Sequence, residues 1–160
     1  MKLVIAGGTG TVGRHVVAAA AARGHQVVTL SRRSGHDLTA GTGLREAMTG
    51  ADAVIDVTSV LTLAAKPSIR FFETVTRALS DAERQAGVGH HVALSIVGID
   101  GVDAGYYAGK LARRRILELS LPGRYWRAAR SGVLRGTADA PRGTITFDDW
   151  LESPDHTRQR

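Results

Sequence analysis

A chain of 160 residues with 43% hydrophobic content has room for one domain with a buried core. It has no cysteine, which excludes disulfides and thiolate metal sites, and it lacks the run of about eighteen apolar residues that a membrane-spanning helix needs. The first apolar run is short and meets glycines at once, unlike a signal peptide, so the expectation is a cytoplasmic protein with no membrane partner. The net charge of +6 is uneven: residues 113–135 hold seven arginines against the single acid Glu118. No nucleic-acid motif accompanies them, so they read as a solvated face and no nucleic-acid partner is expected.

The chain opens on a buried-strand pattern, Leu3 to Ala6, that breaks into Gly7-Gly8-Thr9-Gly10-Thr11-Val12-Gly13 and continues as an alanine-rich helix to Arg23. Strand, glycine turn and helix together are the setting of a dinucleotide site. Gly7 and Gly8 allow a tight turn, Gly10 a close approach by pyrophosphate, and Gly13 close packing of helix on strand. The helix start offers unpaired N–H groups to phosphate.

A second strand, His25 to Leu30, leads into Ser31-Arg32-Arg33. A site for NAD(H) places Asp or Glu here to bind the ribose hydroxyls. Arginines instead match a 2′-phosphate by two-pronged hydrogen bonds, so the cofactor expected is NADP(H), with NAD(H) as the lesser alternative. Residues 36–38 allow at most a vestigial third strand. Within them Asp37, beside Leu38, reads as an adenine contact, a turn residue or a helix cap. A short helix over 43–48 and a strand over 53–57 follow, and Val57, Thr58 and Ser59 at the strand's carboxyl end are expected near the adenosine or pyrophosphate. A long helix is predicted over 68–86, with Ile69, Phe72, Val75, Thr76 and Leu79 at helical spacing. The next strand is predicted over 92–97.

The candidate chemistry comes after that strand. Tyr106 and Lys110 are four apart and share a helix face. An ammonium beside a phenol favours the phenolate, so Tyr106 is a candidate to exchange a proton with a carbonyl or alcohol oxygen, with Lys110 as its tuner and a ligand for the nicotinamide ribose. Ser95 is the candidate to hold the substrate oxygen. No metal site is indicated.

On the glycine turn, Ser31-Arg32-Arg33, Asp37-Leu38-Thr39, Ser95 and Tyr106 to Lys110, residues 1–112 resemble the atypical branch of the short-chain dehydrogenase/reductase family, in its NmrA-like and quinone-reductase-like members. The resemblance implies an α/β fold, a Rossmann-type doubly wound parallel sheet of about five strands with helices on both faces. It also implies an NADP(H)-dependent oxidoreductase acting on a small carbonyl, alcohol or quinone-like substrate. Gly7, Gly10 and Gly13 would then serve the phosphates, and Ser95, Tyr106 and Lys110 the family's Ser-Tyr-Lys set. Two other readings stand beside it: a noncatalytic NAD(P)-binding redox sensor, and a degenerate family member. Residues 113–160 read as a basic, divergent remnant of the same domain, truncated or altered relative to longer relatives, and an exposed sheet edge there would favour self-association.

Overall fold

The computed structural model describes residues 1–96, 99, 102, 104–120, 149 and 152. The chain divides into a compact unit Met1–Trp126 and a second unit Arg127–Arg160, where Asp149 and Glu152 are helical. The run Thr144-Ile145-Thr146-Phe147, which hints at a strand in the sequence, and Pro122-Gly123, expected to end the last helix, lie outside the described residues.

Four parallel strands form the sheet: β1 (Lys2–Ala6), β2 (Gln26–Leu30), β3 (Ala53–Asp56) and β4 (His91–Ala93), in the order β2-β1-β3-β4. Alternation along β1 splits the core in two. Val4 and Ala6 join Leu30 and Val54 beneath α2 (Leu44–Met48) and α3 (Ala65–Ala86), where Met48, Val75, Leu79 and Ala82 are buried. Leu3 and Ile5 point the other way, towards α1 (Gly13–Ala22) and its buried Ala20. Helices therefore cover both faces of a doubly wound sheet, as a parallel sheet requires. The chain leaves β1 for β2 on one side and reaches β3 on the other, so the switch point lies between β1 and β3.

The α3 periodicity holds. Phe72, Val75, Thr76 and Leu79 are buried, Ile69 is half-buried, and Gly87 ends the helix in the left-handed conformation at φ 74°. Pro67 sits in its first turn, where the missing N–H costs nothing.

Two strand expectations are corrected. His36 and Asp37 are irregular and lead into a turn that starts at Leu38, with no third strand, so four strands rather than about five are present among the described residues. Asp37 is the reason: its carboxylate accepts from Thr39 N–H at 2.8 Å and from Thr39 Oγ1 at 2.6 Å, which curls the backbone away from a ladder. The fourth strand starts one residue early and stops at Ala93. Its partner β3 ends at Asp56, whose side chain draws in Thr58 N–H at 2.8 Å and whose carbonyl takes a last bond from Leu94 N–H at 2.9 Å, so Ser95 and Ile96 lie past the end of the ladder.

The last helix, α4, runs Gly105–Ser120 straight through Arg113-Arg114-Arg115. It lies against α3 at Gly109, where an added Cβ would strike Ser68 Oγ and the Phe72 ring, and Ser68 Oγ donates to the Tyr106 carbonyl at 2.8 Å.

Candidate active site

The glycine turn sits at the carboxyl end of β1. Gly7 has φ +83°, and a Cβ there would lie 3.0 Å from the Thr58 backbone, so the turn packs directly on the segment leaving β3. Gly13 opens α1 so close to the turn that a Cβ would overlap Gly7 O and Gly8 Cα. Gly10 N–H donates to Gly7 O at 2.9 Å, closing the turn.

In front of this turn is a cleft of about 550 Å³. Gly7, Thr9 and Gly10 form one wall, Ser31, Arg32 and Arg33 another, and Val57, Thr58 and Ser59 a third, with Asp37 and Leu38 alongside. Thr11 and Val12 are exposed and Gly13 is buried, and none of the three lines the cleft. The position of Gly13 is a packing one. The arginines are set by a local device. Ser31 is buried and caps a 3-10 turn, Arg32–Ser34, reciprocally with Ser34: Ser34 N–H donates to Ser31 Oγ at 3.2 Å and Ser31 N–H to Ser34 Oγ at 2.9 Å. The Arg32 and Arg33 side chains are exposed and make no hydrogen bond or ion pair among the described residues. Asp37 is held below the usual carboxylate range, first by Thr39's hydroxyl and then by its N–H, with a smaller effect from Arg32.

Sequence reasoning missed His36, Thr39, Val60, Leu61 and Phe71, which also line the cleft. His36 and Thr39 follow from adjacency to residues already singled out. Phe71 does not: partly buried, it packs against the core and also reaches the cleft, while Phe72 is fully buried.

The helix α4 carries Tyr106 and Lys110. Tyr106 Oη shares a 3.0 Å hydrogen bond with Ser59 Oγ. Lys110 is 4% exposed; its Nζ donates to Thr58 O at 3.3 Å and Leu94 O at 3.2 Å and stands 4.7 Å above the Phe72 ring and 5.7 Å from the Tyr106 ring. Burial, and then the nearby Arg113 guanidinium, push its ammonium down to about 8, against a smaller opposing pull from Asp56. Ser95 is exposed, lies outside the cleft lining and makes no side-chain hydrogen bond among the described residues. The hydroxyl that meets Tyr106 is Ser59, which the sequence places near the cofactor alone.

A glycine turn at the switch point of a doubly wound parallel sheet defines a Rossmann-type fold. The sequence pattern of the NAD dependent epimerase/dehydratase family matches residues 3–101, and the chain belongs to that family. No curated protein matches it. Among solved structures it is similar to a Burkholderia pseudomallei protein described as exported, with 27% identity, TM-score 0.58, and coverage of 76% of this chain and 67% of that one. It is also similar to UDP-N-acetylglucosamine 4-epimerase from Bacillus cereus, at 23% identity and TM-score 0.64 over 74% of this chain and 54% of that one. A short-chain dehydrogenase/reductase superfamily protein from Agrobacterium tumefaciens with bound NAD gives 24% identity and TM-score 0.61, over 74% and 44%. The chain thus spans between under half and two thirds of the length of these structures. Among the described residues, no helix is long and apolar enough to cross a membrane and no cluster of metal-ligating side chains occurs.

Proposed function

We propose that this chain is an NADP(H)-dependent oxidoreductase of the short-chain type, acting on a small carbonyl, alcohol or quinone-like substrate. One observation carries the reading: the glycine turn, the two free arginines and the Ser59 that bonds Tyr106 all belong to one cleft. The residues fit a dinucleotide, because the turn leaves no room for a Cβ at Gly7 or Gly13 and exposes Gly10 beside the first turn of α1. Solved structures of similar fold hold NAD, including two complexes that also hold a UDP-sugar. The preference for NADP(H) rests on this chain's own Arg32 and Arg33, which present ten N–H donors just after β2, with Asp37 alongside them in the cleft.

The reduced nicotinamide, when bound, supplies a hydride with its electron pair to the carbonyl carbon. Tyr106 Oη gives its proton to the carbonyl oxygen, and in the oxidation direction takes it back. Ser59 Oγ orients that hydroxyl, and Lys110, held on the Thr58 and Leu94 carbonyls, sets a positive charge 5.7 Å from the Tyr106 ring.

Titration of the purified chain with NADPH and NADH tests the cofactor assignment. NADPH should bind at least tenfold more tightly, and Arg32→Ala with Arg33→Ala should remove that margin while leaving NADH affinity unchanged, as loss of charged hydrogen bonds of about 1.5–3 kcal/mol each predicts. A margin that survives the double substitution overturns the role of the arginines.

A further inference from the structure

Arg113 is the first arginine of the run that reads as a solvated face, yet it is 2% exposed. Its Nη1 donates to Asp56 Oδ2 at 3.0 Å, its Nη2 donates to the Leu94 carbonyl, and its guanidinium stands 5.2 Å from the Phe72 ring. Every one of these partners bears on Lys110. The Leu94 carbonyl takes both cations, and the Phe72 ring lies under both. The other Asp56 oxygen accepts from Thr58 N–H and Thr58 Oγ1, and the Thr58 carbonyl accepts from Lys110. Two buried cations therefore face one buried carboxylate, and Arg113 holds it.

We propose that Arg113 is a positioning residue: by occupying Asp56 it denies Lys110 a carboxylate partner and keeps the ammonium on the Thr58 and Leu94 carbonyls beneath Tyr106. Without the guanidinium, Lys110, three residues away along the helix, swings to Asp56. The charged and titratable groups around Lys110 are Asp56 from β3 and Arg113 and Tyr106 from α4, while α3 presents the Phe72 ring. The consequence for catalysis rests on the oxidoreductase reading above; the placement of Lys110 does not.

The test uses the whole chain with isotope-labelled lysine, whose three side chains, Lys2, Lys66 and Lys110, are followed by NMR across pH and assigned with Lys110→Met. In the unmodified chain Lys110 should titrate near 8, well below the other two. Arg113→Met should bring it up towards their range, Arg113→Lys should restore the low midpoint, and Asp56→Asn should lower it further. If Arg113→Met folds and leaves the Lys110 midpoint in place, the proposal is wrong; it is equally wrong if the midpoint rises while a crystal structure of that variant keeps Lys110 Nζ on the Thr58 and Leu94 carbonyls, because loss of the guanidinium charge alone raises it. Should Arg113→Met fail to fold, Asp56→Asn decides: a fall supports the arrangement, and an unchanged or raised midpoint overturns it. No cofactor enters this titration, so a chain that passes it and binds no NADPH refutes the oxidoreductase reading alone.

Discussion

The two halves of the candidate site are built in different ways. The cofactor half, Gly7 to Gly13 with Ser31 to Arg33, is made of short segments whose conformation is set within a few residues: a closed glycine turn and a reciprocal serine cap. The half proposed for proton transfer is made of single side chains brought from far apart. Ser59 and Tyr106 are 47 positions apart, Lys110 and the Thr58 carbonyl 52, and Arg113 and Asp56 57. Local segments tolerate changes around them, whereas the second half depends on α4 lying correctly across the ends of β3 and β4.

Substitutions can separate the halves. The largest effect is expected at Gly13, where backbone atoms of the turn fill the space of a side chain. Gly13→Val should cost about 3 kcal/mol, at the upper end of overpacking penalties, and abolish NADPH binding. Urea unfolding and cofactor titration read the two effects, and retained NADPH affinity would show that the turn does not form the cofactor site. Next comes Tyr106→Phe, which should lower kcat about a hundredfold on any accepted carbonyl and leave the NADPH Kd within a factor of two or so. A joint fall in kcat and affinity would show that the halves are not separable.

A smaller effect is the pH dependence contributed by Lys110. Its value in the folded chain, about 8, lies below its ordinary 10.5, so between these pH values the unfolded chain binds the proton and the folded chain does not. Unfolding free energy should therefore rise with pH across that window, and Lys110→Met should remove that rise. Denaturation midpoints at several pH values check the sign. The smallest effect is expected at Asp37, exposed and bonded only within its own turn. Asp37→Asn should leave the urea midpoint almost unchanged, and a large loss of NADPH affinity in that variant would give it a direct cofactor role that the turn geometry does not require.

Most of the fold was legible in residue order. The alternation of strand and helix patterns, the β1 run and the α3 stripe all survive in the structure, because each reports burial of one face over neighbouring residues. The errors fall where a side chain overrides pattern. Asp37 curls residues 36–38 out of the sheet, and Asp56 ends β3 early and shortens β4 with it.

For the site, composition and spacing by themselves determined the glycine turn, the arginines at the end of β2 and the Tyr106–Lys110 pair, since each lies within one short segment. Only the tertiary structure decided that Ser59 rather than Ser95 meets Tyr106, that Phe71 faces the cleft while Phe72 lies under Lys110, and that Arg113 is buried on Asp56. The physical reason is the same in each case. Helical and strand periods say which residues share a face of one element, but a buried charge finds its partner only when distant elements close around it.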